Sequence, residues 1–352
     1  MALLEIDENG LHCAAGDFYV DPWRGVERAV ITHGHSDHAR WGSRRYLTSE
    51  SGVEVVRARV GEESAVTGAA WGEPVTLNGV RVSFHPAGHI LGSAQVRVEH
   101  QGEVWVVSGD YKTEPDVTCE PFEPIRCHTF VTESTFGLPL YVWRPQKEIF
   151  AEIDAWWRAS QEQGRACVLF AYALGKAQRL LAGVDSTLGP IAVHGAVHRF
   201  VDLYKEQGIA LPSVLRGDEV GAREVRGKGL IVAPPSAANS TWLRKFGDVS
   251  TAFASGWMQV RGIRRRRAAD RGFVLSDHAD WPGLLDTIRA TGADHVAVTH
   301  GPAVPALVRY LQEERGLDAR ALVTPYGDDE ETAAPGSNET EETDTEDRKT
   351  DA

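Results

Sequence analysis

Residues 31–41, "ITHGHSDHARW", place three histidines and an aspartate within six positions. The stretch begins at the end of the apolar run "RAVI", which predicts a short strand leading into the cluster. Residues at i and i+2 of an extended segment share a face, so His33 and His35 can point to the same side. After a turn, Asp37 and His38 can reach a neighbouring position. One segment can thus hold two adjacent metal ions through donors that suit Zn²⁺, with Mn²⁺ or Fe as competitors.

Two metal ions need more ligands, and three polar residues elsewhere in the chain are predicted at strand ends. His89 lies in a glycine-flanked turn, "HPAGHILGSAQ", between two predicted strands. Asp110 ends the apolar strand of "VVSGD", where a carboxylate can bridge two metals, and His300 ends that of "VAVTHG". A lone histidine is more often a structural residue than a ligand, but three strand-end residues beside a dense cluster indicate a metal site.

The composition is that of a globular protein with a sizeable core. The chain has 352 residues, enough for two ordinary domains or one large domain, and 42% of them are apolar. It has no run of about eighteen apolar residues, so no membrane span is expected. The start "MALLEIDENGLH" lacks the basic and apolar regions of a signal peptide, and the four scattered cysteines indicate reduced thiols. These features predict a cytoplasmic protein.

The net charge of −13 is unevenly distributed. Residues 328–352 hold 11 acidic and 2 basic residues, a net charge of −9, which leaves −4 for the rest of the chain. Because this segment has no apolar periodicity, it is predicted to be a solvated, disordered tail. Positive charge is concentrated in "RGIRRRR", where Arg264, Arg265, Arg266 and Arg267 precede a predicted strand. These arginines are expected to contact nucleic-acid phosphates, with a solvated charged surface as the alternative.

The pattern of apolar residues changes along the chain. The segments "VRVSFHPA", "AQVRVEH" and "EVWVVSGD" alternate as sheet strands do, and the first third reads as short strands joined by turns. Residues 146–164 then show helical spacing, and further on strands alternate with helices, which predicts an α/β unit with a parallel sheet. No Gly/Ser linker separates the parts, so the middle region is expected to be an insertion packed against the first domain.

The order of these motifs resembles that of a known family. HxHxDH, the glycine-flanked His89 and "SGD" are similar to the metallo-β-lactamase fold, and "AGHILGSAQ" resembles its metal-ligand loop. Three further motifs resemble those of the β-CASP branch, the nucleic-acid-processing nucleases: "TESTFG" with Glu133, "LSDHAD" with His278 and "VTHG" with His300. "FAYALGKAQRLL" resembles the first strand and helix of the inserted β-CASP domain. The resemblance covers nearly all of residues 10–327.

The resemblance implies an α/β fold: a metallo-β-lactamase αβ/βα sandwich with an inserted α/β β-CASP domain. The first part of the metallo-β-lactamase domain would span residues 1–145, and its C-terminal part would span residues 273–327. The inserted domain would span residues 146–272, and the acidic tail residues 328–352.

Within the branch, the chain most resembles the bacterial ligase-associated DNA exonucleases. The segments that carry this likeness are "GDFYVDPWR", "CEPFEP", "ESTFGLP", "AWWRA" and "YALGKAQRLLAG". The resemblance implies a metal-dependent exonuclease that degrades DNA ends in repair, with a DNA ligase and a helicase as functional partners. RNA remains the alternative substrate, because a histidine such as His300 at this motif often accompanies RNA cleavage in the wider family.

The resemblance also implies roles for individual residues. His33, His35 and His89 would hold the first ion, Asp37, His38 and His300 the second, with Asp110 bridging. The residues implied to act in catalysis are Asp37, His278 as the general acid and Glu133 as the carboxylate that orients it.

Other residues are expected to support the site. Asp21, or alternatively Asp17, is predicted to fix the orientation of a ligand histidine. Both residues lie in or beside the strand before residues 33–38, here called the metal loop. Lys176, at a predicted helix start, and Ser236, in the loop "APPSAANS", are expected to border the substrate cleft. An ordinary turn is the equal alternative for Ser236.

Two other function classes compete with a nuclease. A small-molecule hydrolase of the parent fold, such as a thioesterase or lactonase, would not need the inserted domain or the motifs of Glu133, His278 and His300. A non-catalytic nucleic-acid-binding subunit should have lost metal ligands, whereas every expected ligand is present in this sequence.

Overall fold

The computed structural model describes residues 2–260, 262 and 269–324, and within them it contains three β-sheets flanked by helices. The α/β class predicted from the sequence is confirmed. The predicted contacts of Arg264, Arg265, Arg266 and Arg267 and the acidic segment 328–352 lie outside the described residues. No helix within the described ranges combines the length and apolar character that crossing a bilayer requires.

The strands of the first sheet lie in sequence order. The first strand pairs antiparallel with the second and the second with the third, and the pairings from the third strand onward are parallel. Helix α1 (Val53–Val60) covers the outer face through Val56 and Val60, which pack against Tyr46 and Ile31. The strands are β1 (Glu5–Ile6), β2 (Leu11–Cys13), β3 (Phe18–Val20), β4 (Ala29–Val30), β5 (Tyr46–Ser49) and β6 (Val66–Ala69).

The second sheet faces the first. Its strands are, in chain order, β7 (Val75–Leu77), β8 (Val80–Pro86), β9 (Ala94–His100), β10 (Glu103–Val107), β11 (Thr129–Thr132), β18 (His295–Val298) and β19 (Asp318–Ala321). They lie in the spatial order β19-β18-β11-β10-β9-β8-β7. Helices α6 (Trp281–Thr291) and α7 (Val304–Arg315) pack on its outer face through Leu284 and Leu307.

A single apolar core joins these two sheets. Phe18 and Val30 of the first sheet pack with Phe84, Val96 and Trp105 of the second. Side chains alternate between the faces of a strand, so the opposite faces remain free to bind the helices. The result is a four-layer arrangement of helix, sheet, sheet and helix.

The third sheet is parallel throughout, and its central strands are buried on both faces. Its strands are β12 (Ala166–Phe170), β13 (Ile191–Val193), β14 (Leu215–Arg216), β15 (Leu230–Ala233), β16 (Val249–Ala254) and β17 (Arg271–Phe273). They lie in the spatial order β14-β13-β15-β12-β16-β17. Buried parallel strands are continuously apolar, as "ACVLF" of β12 is.

Helices cover both faces of the third sheet. Helices α2 (Gln146–Glu162), α3 (Lys176–Gly183) and α4 (Gly195–Glu206) share one core with it, and α5 (Glu219–Val225) packs on the other face. A small apolar cluster then joins this unit to the first sheet's layer: Val55 of α1 and Leu91 pack with Leu174 and Tyr204. This contact places the third sheet and its helices, here called the third-sheet unit, against the turn that carries His89. The domain boundaries expected from the sequence remain predictions.

Candidate metal centre

Strand ends from both sheets of the sandwich meet at one edge. β4 leads into His33, and β8, β10 and β18 lead into His89, Asp110 and His300. β8, β10 and β18 run in the same direction in the second sheet, so their carboxyl ends lie on the same side. The sandwich therefore collects side chains that are up to 267 residues apart in the sequence at a single edge.

The first group of donors is tightly clustered. Nδ1 of His35 lies 3.2 Å from Nε2 of His33 and 3.1 Å from Nε2 of His89. Oδ2 of Asp110 lies 3.3 Å from Nε2 of His33 and 3.7 Å from Nε2 of His89. Donor atoms of these four residues all lie within 4.8 Å of one another, which is compatible with one metal ion.

The second group shares Asp110 with the first. Nε2 of His300 lies 3.0 Å from Oδ1 of Asp110, and Nε2 of His38 lies 3.6 Å from Oδ2. Oδ2 of Asp37 lies 3.5 Å from Nε2 of His38. The structure thus brings together all seven residues predicted as ligands, with Asp110 between the two groups.

Threonine hydroxyls fix the ring orientation of two histidines, on the side of each ring that faces away from Asp110. Oγ1 of Thr32 donates to Asp21 at 2.6 Å, so it accepts a hydrogen bond from Nδ1 of His33 at 3.0 Å. In the same way, Oγ1 of Thr299 donates to a backbone carbonyl at 3.2 Å and accepts from Nδ1 of His300 at 2.7 Å. Each threonine therefore sets the tautomer of the histidine that follows it.

The other three histidines donate to oxygen atoms that can only accept. Nδ1 of His38 lies 2.7 Å from the carboxylate of Asp21. Nδ1 of His89 donates to the carbonyl of Asp277 at 2.8 Å, and Nε2 of His35 donates to that of Leu174 at 3.3 Å. In its neutral form, each of the five rings thus directs an N–H outward and a lone pair inward.

This arrangement fits a bound cation. The lone pair of His35 faces those of His33 and His89 at 3.2 and 3.1 Å, and in the neutral rings no proton lies between them. Such a contact is repulsive unless a positive ion lies within it, and outer hydrogen bonds of this kind are those found behind metal-binding histidines. Nitrogen-rich donors with one shared carboxylate suit Zn²⁺ or another transition-metal ion.

The pKa shifts of His33, His89 and Asp110 agree with ligand roles, whereas that of His38 is in the opposite direction. Burial and the charge of His38 lower the pKa of His33 to about 4, and burial lowers the pKa of His89 well below its ordinary value, so both are neutral near pH 7. Burial opposes ionisation of Asp110, but the charge of His38 and the contacts with His300 and His33 hold its pKa well below the usual range. Burial would also lower the pKa of His38, yet Asp37, Asp110 and Asp21 raise it.

His278 and Glu133 lie beside this centre. Nδ1 of His278 is 2.9 and 3.0 Å from the two carboxylate oxygens of Glu133, and its ring centroid is 4.7 Å from that of His89. The backbone N–H of Tyr111 donates to Glu133 at 2.8 Å, and Thr135 donates to its other oxygen. Glu133 could form a further metal group with Asp110 and His278, but its oxygens are already engaged in orienting His278.

The structure distinguishes between the two supporting carboxylates considered from the sequence. Asp21 is 2% exposed and contacts both Thr32 and His38. The side chain of Asp17 is 62% exposed and pairs with Arg28 at 3.3 Å, on the surface. The alternative prediction for Asp17 is therefore corrected, because its carboxylate points into solvent rather than towards a ligand.

The predicted substrate contact of Lys176 is also corrected. Its side chain is fully buried, with Nζ 3.5 Å from Oδ2 of Asp277, so it joins an internal ion pair and is screened from any substrate. Ser236 is exposed on a 3-10 turn, Pro235–Asn239, that follows β15. Its role at the substrate cleft stays a prediction.

Sequence reasoning did not identify several residues that surround the ligands. Thr32 and Thr299 were missed, although the pair Thr-His at two strand ends was a usable signal. The carbonyls of Leu174 and Asp277 carry no sequence signal, because every residue type has one. Arg179, buried behind His89, was missed as well.

Comparisons with known proteins give two kinds of relative and no matching family model. The chain is 31% identical over 317 residues to a protein named probable DNA ligase from Opitutus terrae, covering 89% of this chain and 30% of that protein. It is 29% identical over 119 residues to the endoribonuclease ysh-1 of Neurospora crassa, covering 32% of this chain and 14% of that protein.

A third relative is the cleavage and polyadenylation specificity factor 73 of Drosophila melanogaster, 25% identical over 199 residues, which are 52% of this chain and 29% of that protein. The chain thus spans less than a third of the length of these curated relatives. It is similar along most of its length to part of a protein named as a DNA ligase, and over shorter stretches to proteins named as endoribonuclease and cleavage factor.

Proposed function

We propose that this protein is a metal-dependent phosphodiesterase of the metallo-β-lactamase fold with a β-CASP insertion, and that it degrades DNA ends. The observation that carries the proposal is the arrangement of five histidine rings around Asp110, in which each neutral ring has its N–H directed outward and its lone pair directed into the cluster. A dense, buried, prearranged donor set of this kind has no structural purpose without cations.

The donors divide into two sets. His33, His35, His89 and Asp110 would hold one ion, and Asp37, His38, His300 and Asp110 the other. Two divalent ions held there would activate a water and offset the charge that develops on the phosphate oxygens. Asp110 would join the two sets, because its Oδ2 lies near His33 and His89 of the first set and His38 of the second, while its Oδ1 lies near His300 of the second.

His278 would protonate the leaving oxygen. Nδ1 of its ring is held by Glu133, so the proton to be transferred resides on Nε2, on the opposite side of the ring. Glu133 is itself fixed by donors from Tyr111 and Thr135, so the imidazole cannot rotate freely. A histidine held in this way suits general acid catalysis near neutral pH.

DNA is favoured as the substrate by the extent of one similarity. A stretch like this chain makes up 30% of a protein named probable DNA ligase, and the similarity covers 89% of this chain. A nuclease that trims DNA ends before they are sealed would account for the presence of such a stretch in a protein named as a ligase. A separate ligase and helicase would then be the functional partners of this protein.

RNA is the second candidate substrate, for a specific reason. Two relatives named endoribonucleases each match this chain over about a third of its length, and His300 is of the type that accompanies RNA cleavage in the wider family. RNA cleavage would place the protein in RNA 3′-end processing.

One experiment separates these proposals. Purified protein with Mn²⁺ or Zn²⁺ should be incubated with 5′- and 3′-labelled DNA and RNA, each single- and double-stranded. Mononucleotide release from single-stranded DNA is the expected result. Internal cleavage of RNA with intact DNA would favour the second candidate. No cleavage of any substrate, with both metal sites loaded, would reject a nuclease.

A further inference from the structure

Arg179 is a buried charge at a junction of three loops. It lies on α3, beside the third sheet, and its side chain is 1% exposed. Nη2 donates to the carbonyl of His89 at 3.2 Å, and Nη1 donates to that of Ser276 at 3.0 Å. Nε lies 3.2 Å from Oδ2 of Asp116, and Nη1 lies 3.2 Å from Oδ1 of Asp277. The guanidinium therefore contacts the loops that carry His89, Asp116 and Asp277.

These loops carry the chemistry of the site. His89 belongs to the first, and His278 directly follows Asp277 in the second. The two loops also touch each other, since Nδ1 of His89 donates to the carbonyl of Asp277. The carbonyl of Asp277 thus accepts a hydrogen bond from His89, and its carboxylate pairs with Arg179.

Arginine is suited to this task by its shape. Its planar fork presents donors in fixed directions, so one side chain can hold several acceptors at set distances. Burying a charge is costly unless it is paired, and here Asp116 and Asp277 supply the counter-charges. A lysine at the same position would keep the charge but would offer one donor nitrogen in place of the two that contact the carbonyls.

We propose that Arg179 is a positioning residue that sets the distance between His89, a metal ligand, and His278, the proton donor. The inference rests on the proposed function. Arg179 touches neither a ligand nitrogen nor the substrate side of the site. It acts through the main chain of the two loops, from a helix of the third-sheet unit.

The test compares Arg179→Lys and Asp116→Asn with the matched control Arg165→Lys. Arg165 is also partly buried beside the third sheet and pairs with Asp248 and Asp270, away from the ligand loops. Asp116→Asn weakens one anchor of the guanidinium while leaving Arg179 in place, so it keeps the test valid if Arg179→Lys folds poorly.

Four quantities are measured for each variant: melting temperature, Co²⁺ affinity by absorption titration, and kcat and KM on single-stranded DNA. For Arg179→Lys, we expect Co²⁺ affinity to fall roughly 10–100-fold at one of the two ions. We expect kcat to fall by about 10²-fold, as for a reacting group displaced by about 1 Å, with KM little changed. Asp116→Asn should show a smaller loss, and Arg165→Lys should change only the melting temperature.

Two results would overturn the inference. One is a lower melting temperature for Arg179→Lys with wild-type Co²⁺ affinity and kcat, which would mean that the residue only stabilises the fold. The other is equal losses in Arg165→Lys, which would mean that any damage to this unit disturbs the site. If the wild-type protein cleaves no nucleic acid, the proposed function fails, while the Co²⁺ titrations still decide whether Arg179 positions His89.

A second inference comes from an exposed aromatic residue beside the metal loop. Trp41 is 80% exposed, so its indole presents a large apolar face to solvent. It follows His38 by three residues, so the two lie within about 11 Å along the chain. The loop is tied at this point, because Nε of Arg40 donates to the carbonyl of Asp37 at 3.2 Å.

Positive charge lies next to Trp41 in the sequence. The side chains of Arg44 and Arg45 are 70% and 58% exposed, and both approach Glu27 at long distances of 3.5 and 3.9 Å. Such exposed pairs are weak, so a phosphate can compete with the carboxylate. An exposed indole with arginines nearby matches the surfaces that bind single strands, where bases stack on aromatic rings.

We infer that Trp41, with Arg44 and Arg45, binds an unpaired nucleotide of the substrate next to the metal centre. The inference rests on a nucleic-acid substrate. Stacking on an aromatic ring contributes about 1–3 kcal/mol for each base and does not depend on base identity. A strand end that must be threaded into the site would gain from such a contact.

Binding of a labelled single-stranded oligonucleotide in EDTA tests this inference, with Trp41→Ala, Trp41→Phe and the exposed control Val117→Ala. We expect Trp41→Ala to weaken binding by about tenfold and Trp41→Phe much less. An oligonucleotide with abasic sites at its end should reduce the difference. Wild-type affinity in Trp41→Ala, or the same loss in Val117→Ala, would overturn the inference. Cleavage of a small nitrophenyl phosphodiester should be unchanged, so failure here is distinct from failure of the nuclease.

Discussion

At the scale of single residues, Asp21 and Asp17 form a natural matched pair. Both lie close to the metal loop in the sequence and both have a positive φ, but only Asp21 contacts His38 and Thr32. Asp21→Asn should lower metal affinity by roughly 10–100-fold, because it removes the acceptor that fixes His38. Asp17→Asn should leave it unchanged. Metal titration of both variants is the measurement, and equal affinities would show that Asp21 does not support the ligands.

His278 and Glu133 give a prediction about proton transfer. His278→Ala should retain bound metal and DNA affinity, while kcat should fall by roughly the 10²–10⁴-fold that losing a general acid costs. A nitrophenyl phosphodiester needs less proton assistance, so it should recover much of the loss. Glu133→Gln should give a milder form of the same pattern, because it removes the charge that orients His278 but leaves the acid in place.

The comparison of leaving groups decides what His278 does. Equal losses on good and poor leaving groups would identify His278 as a ligand or a structural residue. Loss of one bound ion in His278→Ala would identify His278 as a ligand, because His278, Asp110 and Glu133 form a further group of possible metal donors.

The clustering of the seven candidate ligands could be predicted from the sequence, because their residue types and strand-end positions are themselves informative. The atoms behind them could not. Leu174 and Asp277 contribute carbonyl oxygens, which every residue has, and their partners lie 139 and 188 residues away. Lys176 misled because a lysine at a helix start usually faces solvent, whereas here the helix is packed against the ligand loops.

At the scale of elements, regular patterns were predicted well and short or mixed ones were not. Helix α2 was expected over residues 146–164 and spans Gln146–Glu162, because its apolar residues repeat at helical spacing. Helix α1, "VEVVRARV", was not expected among the short strands of the first third. Its valines favour strands locally, and it is helical because Val55, Val56 and Val60 pack on the first sheet and its neighbours.

The turn between β8 and β9 gives a prediction about backbone geometry. Gly88 precedes His89 and has a φ of +74°, and a Cβ there would lie 2.3 Å from the carbonyl oxygen of Lys112. Gly79 has a φ of +85° with open space around it. Gly79→Ala should lose about 1–2 kcal/mol of stability from backbone strain. Gly88→Ala should lose clearly more, and it should also weaken metal binding, because His89 must move.

Chemical denaturation and Co²⁺ titration of the two glycine variants provide the check. Similar losses of stability for both would show that crowding by Lys112 adds nothing to the strain. Unchanged metal affinity in Gly88→Ala would show that His89 does not depend on this turn.

At the scale of the whole molecule, the sequence predicted the order of the parts better than their contacts. The alternation of strands and helices after residue 165 indicated a parallel sheet, and the third sheet is parallel. The packing of that sheet's helices on the ligand loops was not foreseeable in detail. Leu174, Tyr204 and Arg179 meet Leu91 and His89 only through tertiary structure, and no periodicity marks such an interface.

Charge distribution gives a last prediction, which concerns affinity rather than chemistry. The chain is acidic overall, so attraction of a nucleic acid depends on local arginine-rich segments such as residues 264–267. Changing Arg264 to Arg267 to serine should weaken binding of single-stranded DNA at low salt. The slope of log K against log salt should become shallower by about 0.7 for each phosphate that is no longer neutralised, because fewer counterions are released. Single-turnover cleavage at saturating DNA should change much less.

A variant with serine at Arg289 and Arg309, which are exposed on the outer helices α6 and α7, is the control for a general decrease in positive charge. Equal slopes for both sets would mean that the four arginines do not touch DNA and only face the solvent.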